Sequence, residues 1–184
     1  MASPKNIVYF DLETQRSAQE VGGWHNISQM KLAIAVTYST MRGTYQIYAE
    51  EDVDALIQEL MRADCVVGFN VLRFDYNVLA PYSILDLSQV PTVDLLVDIE
   101  SSLKRRLPLD MVAEASLGVN KTADGKEALK WWKEGRLRDI AEYCCYDVKT
   151  TRLVHEFGAQ HGRVYYVNSR TRLKEAIPIP WSFS

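Results

Sequence analysis

The sequence predicts an α/β protein, a mixed sheet flanked by helices. Three observations predict it. Short β-branched and aromatic runs recur through the first half of the chain. Apolar residues fall at helical spacing over 52–61 and again over 138–158. Strands and helices also alternate along the chain, which favours helices packed on a sheet.

The elements follow in order. Residues 6–12, NIVYFDL, read as a strand. Gly22-Gly23 marks a loop. LAIAVTY at 32–38 and TYQIY at 44–48 flank Gly43 and make a hairpin. With the first strand the pair forms a three-strand antiparallel meander. In 52–61, Val53, Leu56, Ile57, Leu60 and Met61 share one helix face. CVVGF at 65–69 is the apolar run of a strand buried on both faces, so parallel strands complete the sheet. A helix runs from near Phe74 to before Pro81, and residues 92–96 form a last core strand. Residues 109–117 are helical, with Gly118 as C-cap. The longest helix spans 138 to about 158, followed by a short strand at 164–167. The tail, 168–184, ends in IPIPWSFS and is expected to be extended and partly mobile. No repeat or linker divides residues 1–184, so one domain is expected, with its core over about 6–160.

Composition narrows the class. Hydrophobic residues make up 47% and charged residues 24%, as in ordinary globular chains. No apolar run is long enough for a transmembrane helix, so no membrane partner is expected. The N-terminus lacks a signal-peptide apolar region. Cys65, Cys144 and Cys145 are odd in number and two are adjacent, which does not build a disulfide framework or a zinc site. They read as buried small hydrophobes in a reducing, cytoplasmic setting. Net charge is −3, yet residues 104–138 carry nine Lys and Arg against five Asp and Glu. An acidic remainder suits a carboxylate-rich metal site, whose charge bound cations offset. A solvated helix face has the same look.

Four acidic positions stand out. Asp11 and Glu13 end the first strand, and residues two apart on a strand point to one face. A lone Asp-x-Glu is also what a solvated strand end carries. Asp75 follows another apolar strand at the start of a helix, where a carboxylate also complements the helix dipole. Asp147 lies on the apolar face of the long helix with Tyr143 one turn before it, about 6 Å away along that face. A surface aspartate beside a core tyrosine is the alternative. Taken together, four carboxylates without histidine suit hard cations such as Mg²⁺ or Mn²⁺. Two such ions about 3.5–4 Å apart clamp the attacking and leaving oxygens of a phosphodiester.

These segments resemble a known family. YFDLET resembles the first motif of DEDD 3′–5′ exonucleases, NVLRFD the second, and YCCYD the third in its tyrosine form. LDMVAEASLGVNK resembles a segment of the proofreading domain of family B DNA polymerases and of related stand-alone bacterial nucleases. The histidine subclass would carry His at position 142, where this chain has Glu142. The likeness covers about 6–157. It implies a ribonuclease H-like fold and a two-metal-ion 3′–5′ exonuclease acting on the 3′ end of single-stranded DNA or RNA, with DNA favoured. Asp11 would bridge two ions, Mg²⁺ or Mn²⁺. Glu13 and Asp147 would complete the nucleophile-side ion, Asp75 would hold the second through water, and Tyr143 would orient the attacking water. Asp94 resembles a supporting position. The Gly22–His25 stretch matches no family feature. A helicase or polymerase partner would be a separate protein.

Candidate substrate contacts are Leu12, Asn70, Phe74, Trp131 and Lys121. Aromatic stacking grips bases without sequence preference, and Phe69, Trp24 and Trp132 are further candidates, with core packing as the alternative for each. Adjacent Trp131 and Trp132 point to different sides of a helix, which predicts that one is exposed. Lys121, Lys126, Lys130 and Lys133 are placed to meet phosphates. Two other readings remain: a catalytically inactive nucleic-acid-binding or protein-interaction module, and an endonuclease with a similar acidic site.

Overall fold

The computed structural model describes residues 5–119 and 125–183. The chain opens with β1 (Ile7–Thr14), β2 (Leu32–Ser39), β3 (Thr44–Ala49), α1 (Val53–Arg62) and β4 (Cys65–Gly68). There follow α2 (Asp75–Leu79), β5 (Thr92–Asp94), α3 (Leu95–Leu103), α4 (Leu109–Leu117), α5 (Gly125–Lys133) and α6 (Leu137–His161). A hairpin of β6 (Arg163–Val167) and β7 (Lys174–Pro178) closes the chain. The main sheet has the order β3-β2-β1-β4-β5, antiparallel across β1–β2–β3 and parallel across β1–β4–β5. This is the mixed, helix-flanked sheet that the sequence predicts, meander included.

β1 is central and apolar on both faces. Val8, Phe10 and Leu12 join the core over which α1 lays Leu56, Ile57 and Leu60. Ile7 and Tyr9 join the opposite core, which α6 covers with Ile140, Cys144, Val148 and Val154. Strand alternation therefore turns Tyr9, Asp11 and Glu13 towards α6.

Two details position the site. β4 pairs with β1 only over Ile7–Tyr9, so Phe10–Thr14 run past the end of their parallel neighbour. β4 ends at Gly68, where no side chain fits. A Cβ would lie 2.1 Å from a Val71 methyl and 3.0 Å from the Phe10 carbonyl oxygen. The chain turns back at once over the end of the sheet, with Asn70 in the left-handed region at φ 68.

Two expectations need correction. Residues 92–96 were expected to be a strand, but the strand stops at Asp94, and a helix that the apolar run concealed begins at Leu95. The Asp94 carboxylate caps that helix, accepting from the Leu96 and Val97 amides. Neither Trp131 nor Trp132 is exposed; both are half-buried against the core because α5 packs on α6 and β1. The tail supplies an edge strand and then core. Ile177, Ile179 and Trp181 are buried, and the Trp181 indole N–H donates to Asp98 at 2.8 Å.

Candidate metal centre

β1 and α6 build the centre between them. Carboxylate oxygens of Asp11, Glu13 and Asp147, all half-buried, lie within 4.8 Å of one another. A register shift between Glu13 and Thr14 bends β1 just past the pair, as bulges beside functional sites do. Tyr143, one turn before Asp147, hydrogen-bonds the Asp147 carboxylate. The Tyr143 ring meets Trp131 edge-on, with centroids 6.2 Å apart.

Asp75 comes to the same strand end from the other side. It is only 2% exposed, and its Oδ1 accepts the Leu12 amide at 3.2 Å. That amide belongs to the stretch of β1 that has outrun β4, so Asp75 satisfies a donor the sheet leaves open. Asp75 stands outside the 4.8 Å group, yet its charge acts on both Asp11 and Glu13.

The electrostatics follow from the crowding. Burial, then repulsion from Asp75, Asp147 and Glu13, pushes Asp11 well above the usual carboxylate range. Burial, then Asp147 and Asp75, does the same to Glu13. Asp75 is raised to about 8, chiefly by burial. The Tyr143 hydroxyl is also pushed up, by burial and by Asp147, and stays protonated. Half-buried carboxylates that repel one another are a poor structural ion-pair network. Oxygen donors crowded in this way fit a hard divalent cation, which offsets their charge.

Supporting residues complete the centre. The Cys144 thiol donates to the Asp11 carbonyl oxygen at 3.3 Å and lies 3.5 Å from Asp11 Oδ2. In the sequence alone Cys144 reads as a plain core residue. Its position one residue after Tyr143 on a β1-facing helix was the available signal. Asp94 accepts from the Asn70 and Leu72 amides at 2.8 and 3.0 Å, which fixes the loop before Asp75. Leu12 is buried, Asn70 and Phe74 are half-buried, and Trp131 flanks Tyr143. Lys121 lies outside the described residues.

The pattern spread along this chain matches the RNase_H superfamily profile over residues 8–157. The chain belongs to the RNase_H superfamily. Comparison with curated proteins finds no match. Among solved structures, the family B DNA polymerase from the hyperthermophilic archaeon Pyrobaculum calidifontis superposes with a TM-score of 0.64 at 17% identity. The alignment covers 85% of this chain and 25% of the polymerase, so this chain corresponds to about a quarter of that protein, and the likeness is one of fold. The carboxylate cluster of this superfamily member fits divalent-metal binding. Among the described residues no helix is long and apolar enough to cross a membrane.

Proposed function

We propose that the chain is a two-metal-ion 3′–5′ exonuclease of the DEDD tyrosine type, removing nucleotides from single-stranded nucleic acid, DNA rather than RNA. The observation that carries the reading is the meeting of Asp11 and Glu13 with Asp147 within 4.8 Å, beside a hydrogen-bonded Tyr143. Asp11, Glu13 and Asp147 would hold the ions, Mg²⁺ or Mn²⁺, with Asp75 serving the second through water. Bound there, the ions supply charge neutralisation at the phosphodiester and acidify the attacking water.

The remaining work falls to the chain. Tyr143 gives its proton to Asp147 in a hydrogen bond, which leaves the phenolic oxygen free to accept from the water and aim it at phosphorus. Water oxygen bonds to phosphorus as the P–O3′ bond breaks; the shortened strand leaves with a 3′-hydroxyl and a 5′-nucleotide is released. Leu12, Asn70, Phe74 and Trp131 border the reacting end, and Lys121 is a further proposed strand contact. A reducing compartment such as the cytoplasm accords with three free cysteines.

The test is a panel of 3′-labelled single-stranded DNA and RNA with Mg²⁺, Mn²⁺ or EDTA. Mononucleotides released by wild type but not by Asp11→Asn are expected. Internal fragments, or release unchanged in that variant, would overturn the reading.

A further inference from the structure

Gly22–His25, in the segment joining β1 to β2, matches no feature of the family that the sequence resembles, yet the segment is a built structure. Gly22 and Gly23 take φ of 84° and 130°, turning the chain into a 3₁₀ turn over Trp24–Gln29. Glu20 binds Ser17 within the loop and forms a 2.7 Å ion pair with Lys133 of α5. Asn26 Nδ2 donates to the Val21 carbonyl at 2.8 Å. Ile27 tucks against the core beside Phe74. Trp24 does not follow it inward: it is 69% exposed on a braced scaffold. Its ring meets Phe74 at 64° with centroids 6.3 Å apart, and Phe74 directly precedes Asp75.

Trp24, Ile27, Asn70, Arg73, Phe74 and Arg106 line a hollow of about 450 Å³. A second hollow, of about 370 Å³, shares Asn70 and Arg106 as its wall and continues past Phe69 and Pro108. Among the described residues no acidic side chain lines either one. Arg73 is paired with Glu100 at 2.5 Å. Arg106 donates to Asn70 Oδ1 at 3.1 Å and forms no ion pair with a described carboxylate, so its charge remains available.

The geometry points to an ancillary nucleotide subsite beside the metal centre, in which a base of a single strand stacks on Trp24 and its phosphate meets Arg106. The inference rests on the exonuclease reading for its substrate class. An exposed indole on a braced loop stacks any base, and a guanidinium with no carboxylate partner among the described residues suits a backbone phosphate. Both groups line the hollow with Phe74, the residue before Asp75, where a strand with its 3′ end at the carboxylates would run.

Two measurements on the full chain test this. The first compares kcat/KM on a short oligothymidylate with that on the p-nitrophenyl ester of thymidine 5′-monophosphate, which has no neighbouring nucleotide to reach the subsite. Trp24→Ala should cut the oligonucleotide-to-ester ratio about tenfold, and Trp24→Phe should restore most of it. Equal loss on both substrates would make Trp24 a structural residue and overturn the subsite. The second is anisotropy of 5′-fluorescein oligothymidylate in EDTA across a salt series. Arg106→Gln should lower the slope of log affinity against log salt by about 1. An unchanged slope, or unchanged affinity in Trp24→Ala, would overturn the proposal. A wild type that binds with these dependences yet cleaves neither substrate would sink the exonuclease reading and leave the subsite standing.

Discussion

Asp11→Asn should stabilise the metal-free protein while removing its response to metal. Carboxylate oxygens of Asp11, Glu13 and Asp147 lie within 4.8 Å. At an effective dielectric constant of about 20, two unit charges at that separation repel by about 3.5 kcal/mol. Asp11 faces two such partners, with Asp75 adding a third. Proton uptake relieves part of this, which is why Asp11 and Glu13 titrate high. A neutral amide at position 11 keeps an oxygen for the Cys144 thiol and removes the charge that all the others oppose. A gain of about 3 kcal/mol is expected, or about 6–12 °C in Tm for a domain of this size. The sign depends on pH. A carboxylate whose folded value is raised holds its proton more tightly folded than unfolded, so stability falls as pH rises from the unfolded value near 4 through the folded one. With Asp75 at about 8, the variant's advantage should be largest near pH 9 and shrink towards pH 5. Calorimetry in EDTA at low salt over that range decides the matter. A variant no more stable than wild type at high pH would mean that the carboxylates are not crowded. A Mn²⁺-induced rise in Tm that survives in the variant would remove Asp11 from the metal site.

Other consequences are open to direct measurement. Because the raised carboxylates of the metal-free site hold protons, Mn²⁺ must displace them, so calorimetric affinity should climb as pH rises towards about 8, the value to which Asp75 is raised, with proton release visible as a buffer-dependent enthalpy; a pH-independent affinity would contradict it. Tyr143→Phe should lower kcat by about 10²-fold or more with Mn²⁺ binding intact, in steady-state assays with calorimetry alongside. His155 is 1% exposed, is held down to about 4 by burial, and binds Tyr9 Oη through Nδ1 at 3.0 Å. The unfolded chain accepts a proton near 6.5 that the folded one refuses, so stability drops by up to about 3 kcal/mol as pH falls from 6.5 to 4; His155→Gln should flatten that slope in urea titrations. Gly158→Ala places a Cβ 2.4 Å from the Trp181 ring and should cost about 1–3 kcal/mol, with tryptophan fluorescence shifted to the red as the tail lifts.

What was legible in the sequence was what local periodicity controls. Asp11 and Glu13 share a face because strands alternate, and Tyr143 and Asp147 share one because helices repeat. Both pairs turn up together as read. α3 escaped because TVDLLV is a short apolar run, which a buried strand and a helix start present alike. The aspartate before Leu95 was a capping signal that could have separated them. Tertiary stagger has no local signature. That β4 stops short of β1, and that the Leu12 amide therefore needs the Asp75 oxygen, depends on Gly68 meeting Val71 across a turn. The Cys144 thiol on Asp11 is equally invisible until α6 is laid on β1.

The same stagger explains how one strand end carries so much unfavourable charge. Elsewhere β1 is shielded on both faces, by α1 with its leucines and by α6, and on both edges, by β2 and β4. An unpartnered carboxylate there would lose its hydration without compensation. Only past Tyr9, where β4 has ended, does an edge of the strand open to other groups. Asp11 and Glu13 occupy that opening, and Asp75 bridges it through a backbone donor rather than through a cation. Charge repulsion that a divalent ion would offset is what suits these carboxylates to a metal. The repulsion at the end of β1 and the capacity to bind divalent ions are therefore one property, and apolar cores on both sides of the sheet hold it in place.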